Sequence, residues 1–452
     1  MHTRRLLQNT ALLTASSLLM NAIAMSFQSW LVRHIGAAGI GLYQLVLSVV
    51  NLTATFAISG VRFASTRLVA EELGLENPQG LRAAMSRCLA YGAFFGLAAA
   101  AVLWELAEPL GFLWIGDART VSSLRYAACS MPCISLCASL SGYFTACGRV
   151  WKPTLVHLAE QLFDIALVVF FLGRAPAGDV EKSCEALTLG QIGADVLSLT
   201  LMLSVYSLDR RRYYARQEGG GEHFRRLLKI ALPLAASAYA RSSLTTLQNL
   251  LVPRGLKAAG YSADGALAGY GTIQGMVMPV LFFPACIMGA LSELIVPELT
   301  GAQMRRDHRA IRRAAAQLLK GSALFSGGVG LFLFLFSREL GLVIYRSFEA
   351  GRFIRLFAPL VPILYIDMAV DGCLKGLGQQ VWSMSINIVE SLFGLLLIWK
   401  LLPLYALAAY VAIVYLSELL NFLLSAGRLF RVLRSLPETA APASPAPPPR
   451  PS

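Results

Sequence analysis

Apolar stretches about as long as a lipid bilayer is thick run through almost the whole chain, separated by short polar, Gly or Pro breaks. A helix needs about 20 mainly apolar residues to cross the hydrocarbon core. Counting segments of that length predicts about twelve membrane-spanning helices, at 6–31, 41–61, 86–107, 123–147, 152–173, 184–206, 227–251, 269–295, 315–337, 353–376, 381–402 and 404–427. The first, "ALLTASSLLMNAIAMSFQSWLV", follows a short basic start but is too long for a signal-peptide core and lacks a cleavage site, so it reads as a retained helix. The expected class is therefore an all-α membrane protein.

Composition agrees with the pattern. Hydrophobic residues make up 56% of the 452 and charged residues only 14%, with a mean hydropathy of +0.60, whereas a soluble domain is about a quarter charged. The net charge of +13 does not point to nucleic acid, because the basic residues sit in short loops between apolar spans. With the N-terminus inside, the inside segments carry roughly twice as many Lys and Arg as the outside loops. That bias predicts that both termini are cytoplasmic.

The largest basic loop, "DRRRYYARQEGGGEHFRRLLK", divides the spans six and six. The expected organisation is an N-terminal six-helix lobe at 1–208, a basic linker at 209–226, a C-terminal six-helix lobe at 227–434 and a disordered Pro/Ala-rich tail at 435–452. A constant offset of 230 aligns the halves in two places. It pairs Gly41 with Gly271 and Gln44 with Gln274. Further on it pairs Gly142 with Gly372, Gly148 with Gly378, and Glu160 with Glu390. Six helices per copy return the chain to its starting side, so the copies share one orientation and are expected to face each other across a central cavity.

Ionisable groups are costly in lipid, so each one inside a span is a site candidate. Arg241, in "LPLAASAYARSSLTTLQNLL", lies near the middle of the seventh span, either lining a cavity or held in a structural ion pair. Arg62 and Arg67, in "GVRFASTRLVAEELG", stand at the inner end of the second span, where anchoring at the interface competes with a grip on an anionic cargo. Arg67 is also four residues from Glu71 and can pair with it. In the fifth span His157, Glu160, Gln161 and Asp164 share one helix face; the repeat places Asn387, Glu390 and Ser391 correspondingly in the eleventh. Gln191 with Asp195, and Asp367, Asp371 and Lys375, form further stripes. Glu160, Asp367 and Glu418 rank first because they lack a close cation on the same helix, and the rival reading is plain hydrogen bonding between helices.

Other motifs narrow the chemistry. There is no phosphate-binding G-x-x-x-x-G-K-[ST] loop, no H-E-x-x-H, no nucleophile elbow and no paired Cys-x-x-Cys. An enzyme is therefore not expected. Cys129, Cys133 and Cys137 recur every four residues on one face of the fourth span; thiols in a line cannot converge on one ion, and small residues for helix packing are the better reading. Pro233, Pro279, Pro284, Pro359 and Pro362 fall inside spans and suggest kinks.

The segments "GAAGIGLYQLVLSVVNL" into "SGVRFASTRLVAEELG", and "TLQNLLVPRGLKAAGYSADGALAGYG" with "FPACIMGALSELIVPEL", resemble the stage V sporulation protein B branch of the polysaccharide flippases. That superfamily also holds the lipid II flippases and the multidrug and toxin extrusion transporters. The resemblance runs to about Arg434 and implies two six-helix lobes in a V, alternately open to each side, moving a lipid-linked saccharide precursor to the outer leaflet. It implies Arg62 and Arg241 as ligands of the lipid pyrophosphate, whose oxygens suit guanidinium forks, with Arg67 at the entrance. From their place in the spans, Glu160, Asp367 and Glu418, with Asp164 and Glu390 beside them, are expected to couple or gate the cycle through H+ or Na+, with no other cofactor. The implied partners are the bilayer, the lipid-linked saccharide and proteins of cell-wall or polysaccharide synthesis, without nucleic acid. The first span holds no charged residue, unlike that of the lipid II flippases. A cation-coupled exporter of the same fold and a non-transporting scaffold for envelope assembly are the alternative readings.

Overall fold

A computed structural model describes the backbone of residues 2–75, 78–176, 178–210 and 221–436, and the side chains of most of them. The tail and most of the basic linker lie outside the described residues.

The described chain is helical because a backbone in hydrocarbon must satisfy its own hydrogen bonds. In order the helices are α1 (His2–Ile58), α2 (Val61–Gly74), α3 (Pro78–Pro109), α4 (Val121–Ala128), α5 (Met131–Ala146), α6 (Trp151–Leu172), α7 (Val180–Arg210), α8 (Gly221–Ala258), α9 (Ala263–Gly271), α10 (Met278–Phe282), α11 (Ala285–Met304), α12 (His308–Leu335), α13 (Ser337–Tyr345), α14 (Phe348–Phe357), α15 (Val361–Gly376) and α16 (Gln380–Ser435). Short π-helical turns follow α3 at Leu110–Ile115 and α9 at Thr272–Val277.

Among the described residues nine helical stretches are long and apolar enough to cross a membrane, or ten if the bent pair α4 and α5 counts as one. This differs from the expected spacing in four ways, and α8, which carries the seventh expected span, is not among the nine. The first two spans are one helix broken at Gly36 (φ 72°, ψ 174°), and the last two are one helix broken at Ala406 (φ 51°, ψ −137°), three residues after Pro403. The eighth expected span, 269–295, is instead two pieces interrupted at Phe283 and Pro284, between α10 and α11. The fourth is bent by 46° between α4 and α5, which puts Cys129 in the bend rather than on one straight face with Cys133 and Cys137.

By packing, the chain forms two compact units. One comprises 1–279 with 344–346 and 395–410; the other comprises 280–343, 347–394 and 411–452. The first has a core around Val61, Leu68, Met85, Tyr143, Phe144 and Leu227. The second has its own around Ile295, Leu299, Ile311, Cys373 and Leu374.

The 230-residue offset reappears as geometry. Gly148 (φ +67°) ends α5 and Gly378 (φ +71°) ends α15 in the left-handed region that only Gly enters without strain. At the first, Gly148 N donates to Thr145 O (3.1 Å) and Arg149 N to Phe144 O (2.9 Å); at the second, Gly378 N donates to Lys375 O (3.1 Å) and Gln379 N to Leu374 O (2.8 Å). All four positions correspond at the same offset. Likewise Gly142 lies against the Arg62 carbonyl, 2.5 Å from where its Cβ would be, and Gly372 lies against the Ser292 carbonyl at 2.9 Å. Each unit thus contains the same helix crossing, built from equivalent residues.

Candidate functional site

The stretch around Arg62 begins at a break. Ser59 (φ 42°) and Gly60 (φ 72°) turn the chain from α1 into α2, and Gly60 is pressed against the Ala231 carbonyl of α8, 2.6 Å from its absent Cβ. Two tyrosines hold the turn: Tyr91 OH lies 2.9 Å from Ser59 Oγ, and Tyr239 OH donates to the same oxygen at 2.6 Å. Arg62 is therefore the second residue of α2, placed by a turn that is bonded from both sides. Its carbonyl accepts Ser65 Oγ (3.0 Å) and Thr66 Oγ1 (2.9 Å). Its side chain is exposed, and among the described residues its guanidinium has no partner.

Arg67, five residues on, is different. Its Nε donates to Glu71 Oε1 at 3.0 Å, with side chains 66% and 40% exposed, the solvated i,i+4 pair expected from spacing. Arg241 stands on α8, which is tied to α1 by Thr246 Oγ1 on Ser48 O (3.0 Å), Asn249 Nδ2 on Ser48 Oγ (2.9 Å) and Thr55 Oγ1 on Ser242 Oγ (3.3 Å). Arg241 is also exposed and has no ion pair or hydrogen-bond partner among the described residues. At about 100° per residue it projects roughly 200° around α8 from Tyr239. The structure therefore separates the three cations: one paired at the surface, two free on helices of the same unit.

The carboxylates gather in two groups, one per unit. In the first, Glu160 Oε2 accepts Ser198 Oγ of α7 at 2.6 Å and meets His157 Nδ1 of its own helix at 3.1 Å. His157 is thus a hydrogen-bond partner of Glu160 on its own helix. One turn on, Asp164 lies within electrostatic reach of Glu160, and Asp195 of α7 within reach of both. Gln161 Nε2 donates to Met20 O at 3.0 Å, fixing α6 against α1. Asp164 Oδ1 and Asp195 Oδ2 are buried without a hydrogen-bond partner among the described residues. Tyr43 of α1 faces the same two carboxylates.

In the second unit Asp367 accepts Asn421 Nδ2 at 2.8 Å, while its Oδ1 is buried without a hydrogen-bond partner among the described residues. Glu418 lies within electrostatic reach of Glu390 and Asp367. Asp371 is instead engaged by Lys375 and by Ser383 Oγ. Buried carboxylate oxygens that lack a cation are unstable as anions, so such groups take up a proton or a small cation. Ranking by same-helix cations found Glu160, Asp367 and Glu418 but passed over Asp195 and Tyr43, which join the group only through the pairing of α6, α7 and α1. Asp195 was signalled by the polar stripe it forms with Gln191, whereas no sequence pattern marked Tyr43.

A further ion pair joins loops distant in sequence. Arg119 Nη2 donates to Asp117 Oδ2 (2.7 Å) and to Asp264 Oδ1 (2.9 Å), at the start of α9. Burial raises the Asp117 carboxyl, but the hydrogen bonds from Arg119 outweigh it and hold the group below the usual carboxylate range.

The MatE family model matches residues 13–170 and 256–399. The chain belongs to the MatE family. It is 22% identical over 435 residues to "Stage V sporulation protein B" of Bacillus subtilis (strain 168), covering 94% of this chain and 84% of that protein. Two solved structures share its fold. "Lipid II flippase MurJ, inward closed conformation" superposes with a TM-score of 0.71 at 13% identity, covering 94% of this chain and 88% of that one. An inward-facing multidrug resistance MATE family transporter of the MOP superfamily superposes with a TM-score of 0.70 at 13% identity, covering 92% and 96%. This MatE-family chain is thus a multi-pass membrane protein that shares the fold of those two proteins. Arg62, Arg67, Glu160, Asp164, Asp367 and Glu390 fall within the matched residues; Arg241 and Glu418 fall outside them.

Proposed function

We propose that this transporter moves a polyprenyl-pyrophosphate-linked saccharide, an envelope or spore precursor, from the inner to the outer leaflet by alternating access. The observation that carries this reading is the pair of free guanidinium groups, Arg62 and Arg241, on helices of one unit that touch at Gly60 and Ala231. An unpaired cation at membrane depth is costly, and an anionic headgroup offers the bidentate partner it lacks. Arg67, already paired, serves as an interface anchor that assists at the entrance. Glu160 with Asp164, and Asp367 with Glu390 and Glu418, couple the cycle through H+ or Na+; no phosphate-binding loop in the sequence supplies ATP hydrolysis. The name of the lipid II flippase supports a lipid-linked substrate, and that of the sporulation relative a link to spore formation. Both termini are cytoplasmic in this reading, which follows the distribution of Lys and Arg.

A second reading, a cation-coupled exporter of soluble compounds, is favoured by the two carboxylate groups and by the multidrug relatives. One experiment separates them. Leaflet translocation of a fluorescent polyprenyl-pyrophosphate disaccharide is followed in proteoliposomes containing the unmodified protein, Arg62→Ala or Arg241→Ala at equal folded amounts. Movement by the unmodified protein that either substitution abolishes supports the flippase. No movement, together with export of an organic cation under an imposed ion gradient, supports the exporter.

A further inference from the structure

The first unit has an open cavity of about 550 Å³ between α1, α3 with its π-helical end, and α8, a volume within the range of ligand pockets. No charged side chain lines it. Most of the hydroxyls in its wall are turned away into the protein. Thr53 Oγ1 donates to Val49 O (2.9 Å), Thr246 Oγ1 to Ser48 O (3.0 Å) and Tyr239 OH to Ser59 Oγ (2.6 Å). Ser243 is the only lining hydroxyl without a bond among the described residues. A wall with so few free donors and acceptors has little to offer water or a polar solute; it is a surface for hydrocarbon.

Four aromatic rings, Phe56, Phe95, Trp114 and Tyr239, line the cavity, with Phe56 and Tyr239 4.4 Å apart between centroids. Flat aromatic faces suit the planar double bonds and branch methyls of an isoprenoid, which a saturated acyl chain lacks. The Phe56 end of the wall leads into the Ser59 and Gly60 turn, and the free cation Arg62 follows six residues past Phe56. Arg241, on the far side of α8 from Tyr239, does not line this cavity.

We infer that the cavity holds the isoprenoid units next to the pyrophosphate of the cargo lipid, with Arg62 beside the headgroup. The inference rests on the flippase reading and deepens it: α1, α3 and α8 form a tail slot that sorts polyprenyl lipids from the phospholipids around them. Its volume accepts a segment of the chain, and the remainder stays in the bilayer.

The test uses the full chain in vesicles and two photoreactive probes at equal mole fraction. One is a polyprenyl pyrophosphate with a diazirine on its first isoprene units; the other is a phosphatidylglycerol with a diazirine on its acyl chain. Labelled residues are located by mass spectrometry. The polyprenyl probe is expected to label 95–106 and 239–250 about tenfold more than the phospholipid probe does. Ala98→Phe, which fills the cavity, lowers that labelling by about tenfold while labelling elsewhere is unchanged. Ser243→Phe fills it from α8 and serves if the first variant does not fold. Equal labelling by both probes overturns the inference in favour of a general lipid crevice, and absence of slot labelling overturns it outright. The two readings fail separately: translocation without slot labelling removes the tail slot and keeps the flippase, whereas slot labelling without translocation removes the flippase and keeps the slot.

Discussion

Gly41 and Gly271, 230 positions apart and equivalent in the internal repeat, pack backbone against backbone. A Cβ on Gly271 would lie 2.1 Å from Ala37 O and 2.6 Å from Gly41 N; one on Gly41 would lie 2.0 Å from Leu267 O. No side chain fits between α1 and α9 here, and helix association in lipid depends on such close approach. Gly271→Leu is expected to force the helices apart at a cost of about 1–3 kcal/mol. Thermal unfolding in detergent would show it as a lower Tm than Gly321→Leu, whose Cβ meets nothing within 4 Å.

The matched left-handed residues Gly148 and Gly378 give a test of the repeat itself. An L side chain in that region costs about 1–2 kcal/mol, and neither position has an atom within 4 Å of the added Cβ. Gly148→Ala and Gly378→Ala are therefore expected to destabilise by similar amounts through backbone strain alone. Unfolding of the two variants side by side checks this; a marked difference would mean that the two turns are not equivalent.

The contrast between Arg62 and Arg67 predicts different outcomes. Exposed pairs such as Arg67 with Glu71 contribute about 0–1 kcal/mol, so Arg67→Ala should leave stability close to that of the unmodified protein and slow translocation only partly, as befits a residue that assists at the entrance. Arg62→Ala should leave stability unchanged and abolish lipid movement. Parallel unfolding and translocation assays on the two variants decide it.

The carboxylate groups predict a coupling defect. Glu160→Gln and Glu418→Gln keep the hydrogen-bonding shape but cannot exchange a proton or hold a cation. Both variants are expected to bind the polyprenyl-pyrophosphate probe normally and to lose the acceleration that an imposed H+ or Na+ gradient gives the unmodified protein. Gradient-driven translocation that is unaltered in both would exclude them from coupling.

The Arg119 bridge predicts a pH effect of known sign. The Asp117 carboxyl is held below its usual range in the folded chain, so its contribution to stability is present above the unfolded value of about 4 and is lost as pH falls through the folded value. Arg119→Ala is expected to lower the Tm at pH 7, and the gap to the unmodified protein should narrow below about pH 4. Thermal unfolding at both pH values measures it.

Much of the architecture was legible in the sequence, because membrane-spanning helices are read from apolar length alone and need no tertiary information. The repeat was legible for a related reason: glycines at close crossings and helix ends cannot be replaced without strain, and Gly41, Gly142, Gly148 and their partners at the 230 offset mark such places. The Arg67 and Glu71 pair followed from helical spacing. Tertiary structure decided the turn at Ser59, which Tyr91 of α3 and Tyr239 of α8 hold, whereas the breaks at Phe283 and Ala406 fall beside Pro284 and Pro403, residues the sequence shows. Tertiary structure alone showed that Arg62 and Arg241 lack partners, and that Asp195 and Tyr43 join the stripe of Glu160 and Asp164. Pairing across helices is a property of distance in space, and the order of residues along one helix does not contain it.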